Sequence, residues 1–541
     1  MKFDSDYWHS LDRRYIEKLG VNANVLGIST PPMRDQLESL KTRIFQGASQ
    51  IELGFMGKGK GSMGQGAPTP EMYGNEEREA IRQLARINEV ETSTHVAPNV
   101  QGFAGLGERG FTHEAKEQNL MEVKRTIDFA ADVARGGPVV LHTGEFPRPI
   151  SKYKEFEAYP EEEKRQIHYL VNQKTGEIKR GVREDEEIWL PVPETDKDEK
   201  PITLKDEHGN DRKLKLFGKE VPIVKYRLDE QGNIQVERNV FSNFKKKYKN
   251  DDEAARSFYE EQLKAEQLQA LGQADEYEVM YKDALETREK IIKSLKIYEA
   301  AQKVPGVDKE LLKREVQSRF PGIIPSEEID PVDHLRNELR EWEKRMNYGQ
   351  EIAISARKNA AKIQEEINDT VPIHEYGTKE SADTLARAGI YALQKEKESG
   401  LEKPLFIAPE NIFPENGYAS HPAELKELII RSRKAMIEKL WNEEEGRPSK
   451  EAAGLGIYSK KEAEKAAEDH IKVTFDIGHL NTWKKYFKAT TDNPDKEFKE
   501  WMMKQVDSLN KEKMIGHVHI SDNFGYYDEH VDPGEGNVPI P

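Results

Sequence analysis

Seven short apolar runs alternate with helical stretches along this chain, and that rhythm limits the possible folds more than any other feature. Residues 25–29 (VLGIS), 49–55 (SQIELGF), 90–97 (VETSTHVA), 137–143 (GPVVLHT), 404–412 (PLFIAPENI), 471–479 (IKVTFDIGH) and the run that opens at Met514 read as strands. Helical periodicity fills 34–46, 76–87, 117–134, 380–397 and 423–442 between them. Strands that are apolar almost throughout and separated by helices belong to a parallel sheet covered on its faces, either an open doubly wound sheet or a barrel. A TIM-type barrel is the expectation, because the chemistry-bearing residues fall at the carboxyl ends of the strands.

Between 149 and 378 the rhythm breaks. Residues 165–244 read as β hairpins around the turn clusters NQKTGE (172–177), EHGN (207–210) and DEQGN (229–233). Residues 251–304 contain no proline and read as one long helix with a break near Gly272, and a second helix runs over 331–368. The pair predicts an antiparallel helical hairpin whose dense Glu and Lys content is a solvated face. The predicted organisation is 1–148 as the first part of the barrel, 149–378 as an inserted α+β unit after strand four, and 379–541 as the second part. Only seven strand–helix units can be counted, and an eight-stranded barrel needs one more to pair its first and seventh edges. The expectation is a barrel that lacks its last unit, through truncation or because a partner chain supplies the strand, with open edges as a third outcome.

Strand ends carry the candidate site: His95, His142, Glu410, Asp476, His479 and His519. The last stretch, MIGHVHISDNFGYYDEHVDPGEGNVPI, adds His517, Asp522, Asp528, His530 and Asp532 within sixteen positions. Imidazoles and carboxylates gathered beside an apolar strand carry a desolvation cost unless something binds them, and a divalent metal binds both types. The chain has no cysteine, so a metal must rest on His, Asp and Glu. His517 shares the pleat face of His519 and is expected to support the ligands from behind. His113 and His421 read as loop residues. The glycine-rich stretch 54–70 holds Lys58 and Lys60 but lacks nucleotide-loop spacing, and reads as a flexible loop over the barrel mouth rather than a phosphate site.

The net charge of −16 disfavours indiscriminate nucleic-acid binding, though a bound metal offsets part of it. No apolar signal-peptide core opens the chain and no eighteen apolar residues run together, so a soluble, cytoplasmic protein without a membrane partner is expected.

The segments STHVAPN, VVLHTG, PEN, FDIGH, HVHISDN and DEHVDPGEG together resemble the xylose-isomerase-like barrel superfamily, and within it most closely the endonuclease IV family of metal-dependent abasic-site endonucleases. That resemblance implies two or three zinc ions: one on His95, His142 and Glu410, a second on Glu410, Asp476 and His519, a third on His479, Asp528 and His530. Glu410 is then the bridging, catalytic carboxylate of a phosphodiester hydrolase acting on damaged DNA. It also implies that the absent eighth strand carries a glutamate for the second ion, and nothing after Glu535 offers one. The chain departs from the family at Pro98–Asn99, where an intercalating aromatic is expected, and in its large insertion. The same segments resemble the sugar isomerases and epimerases of that superfamily, which imply a single manganese or magnesium on Glu410, Asp476 and His519 and a small sugar as substrate. A non-catalytic barrel whose helical hairpin binds a partner is the third reading.

Overall fold

The computed structural model describes residues 26–539 apart from Lys164, Glu199, Arg212, 217–218, 321–329 and Glu402. Seven parallel strands form one sheet in sequence order: β1 (Gly27–Ser29), β2 (Gln50–Gly54), β3 (Glu91–His95), β4 (Gly137–His142), β5 (Leu405–Glu410), β6 (Val473–Asp476) and β7 (Ile515–His519). The helices that return the chain are α1 (Gln36–Phe45), α2 (Asn75–Ile87), α3 (His113–Val133), α4 (Ile373–Ser399), α5 (Pro422–Leu440), α6 (Lys460–His470) and α7 (Pro494–Lys511). The sheet is strongly curled. In a flat sheet β2 and β7 stand five strand spacings apart, about 24 Å, yet His519 on β7 lies 3.2 Å from Glu52 on β2. Among the described residues β1 and β7 end the sheet, their outer edges paired neither to each other nor to a further strand. The architecture is thus mixed α/β with a curled seven-stranded parallel sheet.

Burial explains which strands are apolar throughout. Every residue of β5 is buried, because the strand is central and helices cover its outer face. On β2, Ile51 and Leu53 enter the core while Glu52 between them takes the opposite pleat face. β7 places His517 and His519 on the inner face and leaves Val518 about half exposed. Apolar side chains also stay exposed at β1, on Ile28 within the strand and Leu26 just before it.

Two local expectations are corrected. His113 is not in a loop; it opens α3, where Thr112 caps the helix by accepting from the Ala115 amide at 3.2 Å. His421 lies outside the helices as expected and caps α5 through Nδ1, which accepts from the Ala423 amide at 3.1 Å, while its buried ring stacks on Tyr153. The helix of the insertion runs unbroken over Asp251–Ala301, since one glycine costs only about 1 kcal/mol in a helix this long.

The chain divides into two compact units, one comprising 1–186, 245–255 and 371–541, the other 187–244 and 256–370. The hairpin Ile167–Asn172 and Ile178–Arg183, turning at the expected 172–177 cluster, therefore groups with the sheet. The second unit contains the antiparallel pair Glu187–Pro191 and Val236–Val240, most of the long helix, Lys309–Arg319 and Pro331–Asp369. It buries its own apolar cluster of Ile291, Tyr298, Val316, Val332 and Leu335. No helix among the described residues is long and apolar enough to cross a membrane.

Candidate metal centre

The curl gathers four carboxylates and six imidazoles around one cleft of about 1150 Å³ at the carboxyl ends of the strands. The carboxylates are Glu52, Glu410, Asp476 and Asp528; the imidazoles are His95, His142, His479, His517, His519 and His530. No lysine or arginine is among the described residues that line it. All eight ligands expected from the sequence are here.

Glu410, at the end of the central strand, is the hub. Its Oε2 lies 3.3 Å from His95 Nε2 and 3.7 Å from His142 Nε2, while its Oε1 lies 2.8 Å from His519 Nδ1. Four donors held tetrahedrally at zinc bond lengths stand about 3.4 Å apart, so the His95–His142–Glu410 spacing suits an ion better than a hydrogen bond. His95 donates Nδ1–H to the Val96 carbonyl at 2.5 Å, which fixes the tautomer and leaves Nε2 as the ligand atom. Burial lowers the His142 pKa to about 4, against the pull of Glu410, so this ring is neutral and fit to ligate at neutral pH.

A second group forms where β6 runs into the short helix Ile477–Asn481. Asp476 caps that helix by accepting from the His479 amide at 2.6 Å. Asn411, next to Glu410, exchanges two hydrogen bonds with the Asp476 backbone at 2.8 and 2.9 Å and so joins the ends of β5 and β6. The Asn411 carbonyl accepts from His479 Nδ1 at 2.9 Å, which directs Nε2 toward Asp528 at 3.3 Å. His530 Nε2 lies 2.8 Å from the same Asp528 oxygen.

The chain after β7 must fold back to bring Asp528 and His530 to the mouth, and Asp522 directs that return. Its carboxylate accepts from the amides of Gly534, Gly536 and Val538, each at 2.9 Å, and its backbone pairs with Val531. A Cβ on Gly536 would collide with it. Asp522 thus holds the loop and does not face the cleft. Asp532, also in the terminal cluster, is outside every ligand group found among the described residues.

Glu52 was not among the residues singled out from the sequence. Its Oε2 lies 3.3 Å from His517 Nε2 and 3.2 Å from His519 Nε2, and the three form a ligand group of their own. The signal was present: one charged residue between Ile51 and Leu53 must occupy the inner pleat face of a strand. In the glycine-rich stretch Lys58 Nζ donates to Asn119 at 2.7 Å.

Without a metal the acids and imidazoles compensate one another. Burial pushes the Glu410 and Glu52 carboxyls up, but the facing imidazoles, His519 foremost, hold both well below the usual carboxylate range. In return, and against the effect of burial, Asp476 with Asp528 and Glu410 raises His479 to about 10. Protons thus sit where a metal would compete for the same nitrogens.

Comparison with protein-family models, with curated proteins and with solved structures finds no match.

Proposed function

We propose that the chain is a metal-dependent phosphodiester hydrolase of the endonuclease IV type, built on a TIM-type barrel that contributes seven of its strands. The observation that carries the reading is the convergence of four carboxylates and six imidazoles on one cleft with no lysine or arginine in its described lining. With no ammonium or guanidinium among them, these carboxylates and imidazoles are balanced only by protons that a cation can displace, and His, Asp and Glu are donors suited to zinc.

Four ligand groups form at the cleft: His95 with His142 and Glu410, His479 with Asp528 and His530, Glu410 with Asp476 and His479, and Glu52 with His517 and His519. When bound there, clustered zinc supplies an activated water, neutralises a phosphodiester and stabilises a leaving oxygen. Glu410 directs its two oxygens to different partners and so fixes the spacing of what binds on either side. Asn411 and Val96 orient the His479 and His95 rings through their carbonyls. Ile412 and Phe413 give the cleft an apolar wall.

One observation favours a second reading. The described cleft lining offers no basic side chain to follow a phosphate backbone, and a neutral sugar handled by one divalent ion on Glu410, Asp476 and His519 needs none. Elemental analysis of protein purified without added metal separates the two. The hydrolase reading expects more than one zinc-class ion per chain and cleavage of abasic DNA or another phosphodiester. A single ion with conversion only of ketose sugars would replace it.

A further inference from the structure

The expected second ion of the hydrolase reading, on Glu410, Asp476 and His519, fits the geometry less well than the other two. His519 Nδ1 lies 2.8 Å from Glu410 Oε1, but His519 shares no ligand group with Glu410 and Asp476 among the described residues, where Asp476 groups with Glu410 and His479 instead. The other nitrogen of the same ring points elsewhere. His519 Nε2 and His517 Nε2 converge on one oxygen, Glu52 Oε2, at 3.2 and 3.3 Å, close to the donor spacing of about 3.4 Å expected around a tetrahedral ion.

We propose that a divalent first-row transition ion sits between β2 and β7 on Glu52, His517 and His519 Nε2, in place of the middle position. The assignment rests on reading the mouth as a multi-metal centre, and moves one of its ions toward the open side of the sheet. Three features support it. Two imidazoles and one carboxylate are a donor set that zinc, iron(II) or cobalt(II) accepts, with at least one coordination position left for water or substrate. The ring's contacts agree, because with Nδ1–H donating to Glu410 the Nε2 lone pair would be the one offered to an ion, the carboxylate–histidine–metal arrangement in which the outer carboxylate sets the ring. The strands agree as well: the pleat puts His517 and His519, two residues apart, on the inner face of β7, and Glu52 is on the inner face of β2. All three side chains are partly accessible to the cleft, so an ion can enter and a ligand can reach it.

The chemistry assigned to this position is Lewis-acid contact with an oxyanion or hydroxyl of the substrate, beside the better buried group at Glu410.

The test is an ion count, independent of any substrate. Metal-stripped full-length protein is titrated with cobalt(II) and with zinc(II), and bound metal is measured by elemental analysis after desalting, with the visible cobalt spectrum as a second readout. His517→Ala and Glu52→Gln should each bind one ion fewer per chain than the wild type, and Asp476→Asn should keep the wild-type number. His517 is partly exposed, so its alanine variant should fold; circular dichroism of the metal-free variants checks this. The opposite pattern, an ion lost in Asp476→Asn and none in His517→Ala or Glu52→Gln, overturns the assignment and restores the middle position. A full count in Glu52→Gln with affinity weakened about 10–100-fold and no change in His517→Ala also overturns it, since Glu52 would then only orient His519. A wild-type chain that binds no ion overturns the multi-metal reading itself.

Discussion

Two clusters in the sheet-containing unit use the same residue types and meet opposite fates. At the mouth, Glu410, Asp476, Glu52 and Asp528 face six imidazoles and no described lysine or arginine. In the hairpin region, His168, Glu184 and Asp251 bring ligand atoms within 4.8 Å of one another, the same closeness as the mouth groups, with Asp252 3.4 Å from the other side of the His168 ring. Here, however, Lys245 reaches in, with its ammonium 2.6 Å from Glu184 and 3.3 Å from Asp251. A resident ammonium does electrostatically what an ion could do elsewhere, so the second cluster is already compensated by a lysine within the fold, and the first offers its donors without one. A third solution is Glu145, buried beyond the end of β4. One of its oxygens accepts from Ser381 and the Ala104 amide; the other has no hydrogen-bond partner, and no cation adjoins it, among the described residues. Burial raises this carboxyl to about 7, so a proton is its counter-charge.

The largest effect should come from the hub. Glu410→Ala should reduce phosphodiester hydrolysis by about 10²–10³-fold and abolish the gain in melting temperature that zinc gives the wild type. A variant with wild-type turnover would remove Glu410 from the chemistry.

Glu145 comes next. Its folded pKa is raised above the ordinary 4.5, so between those values the folded state binds more protons than the unfolded. The associated stability is full below pH 4.5 and is lost as pH rises through about 7, a change of about 3 kcal/mol. Urea unfolding from pH 5 to 8 should show this decline in the wild type, and Glu145→Gln should flatten it. An equal slope in both would mean that the carboxyl is ionised in the fold.

Lys245→Met should cost about 1–2 kcal/mol, because the groups it serves are only partly buried. The sharper reading is metal: with the ammonium gone, His168, Glu184 and Asp251 should take up one zinc ion more than the wild type and recover part of that loss. If no extra ion binds, the geometry of the cluster excludes metal and not its lysine.

The smallest effect is expected from replacing 256–370 with a short flexible linker. The long helices return side by side, as the Tyr259–Glu366 bond at 2.6 Å and the Gln267–Ala360 bond at 3.1 Å require, so a short linker can join their near ends. The ion count at the mouth should not change, and equilibrium dialysis with zinc will read it.

The sequence by itself determined the seven strands, their parallel order and the six candidate ligands at or just past their carboxyl ends, because burial on both faces writes an apolar run and polar residues there interrupt it abruptly. It marked the 172–177 turn and both long helices of the insertion within a few residues, since turn chemistry and 3.6-residue periodicity are local signals. Its reach ended where contacts join strands far apart in the chain. Glu52 and His519 are separated by 467 positions, and only the curl of the sheet makes them neighbours. The fate of His168 was likewise undecided until the fold placed Lys245 beside Glu184, 61 residues away. Residue type supplies the possible ligands; which carboxylate meets an imidazole, an ammonium or a lone proton is set by tertiary packing, because charge compensation depends on distance in space and not along the chain.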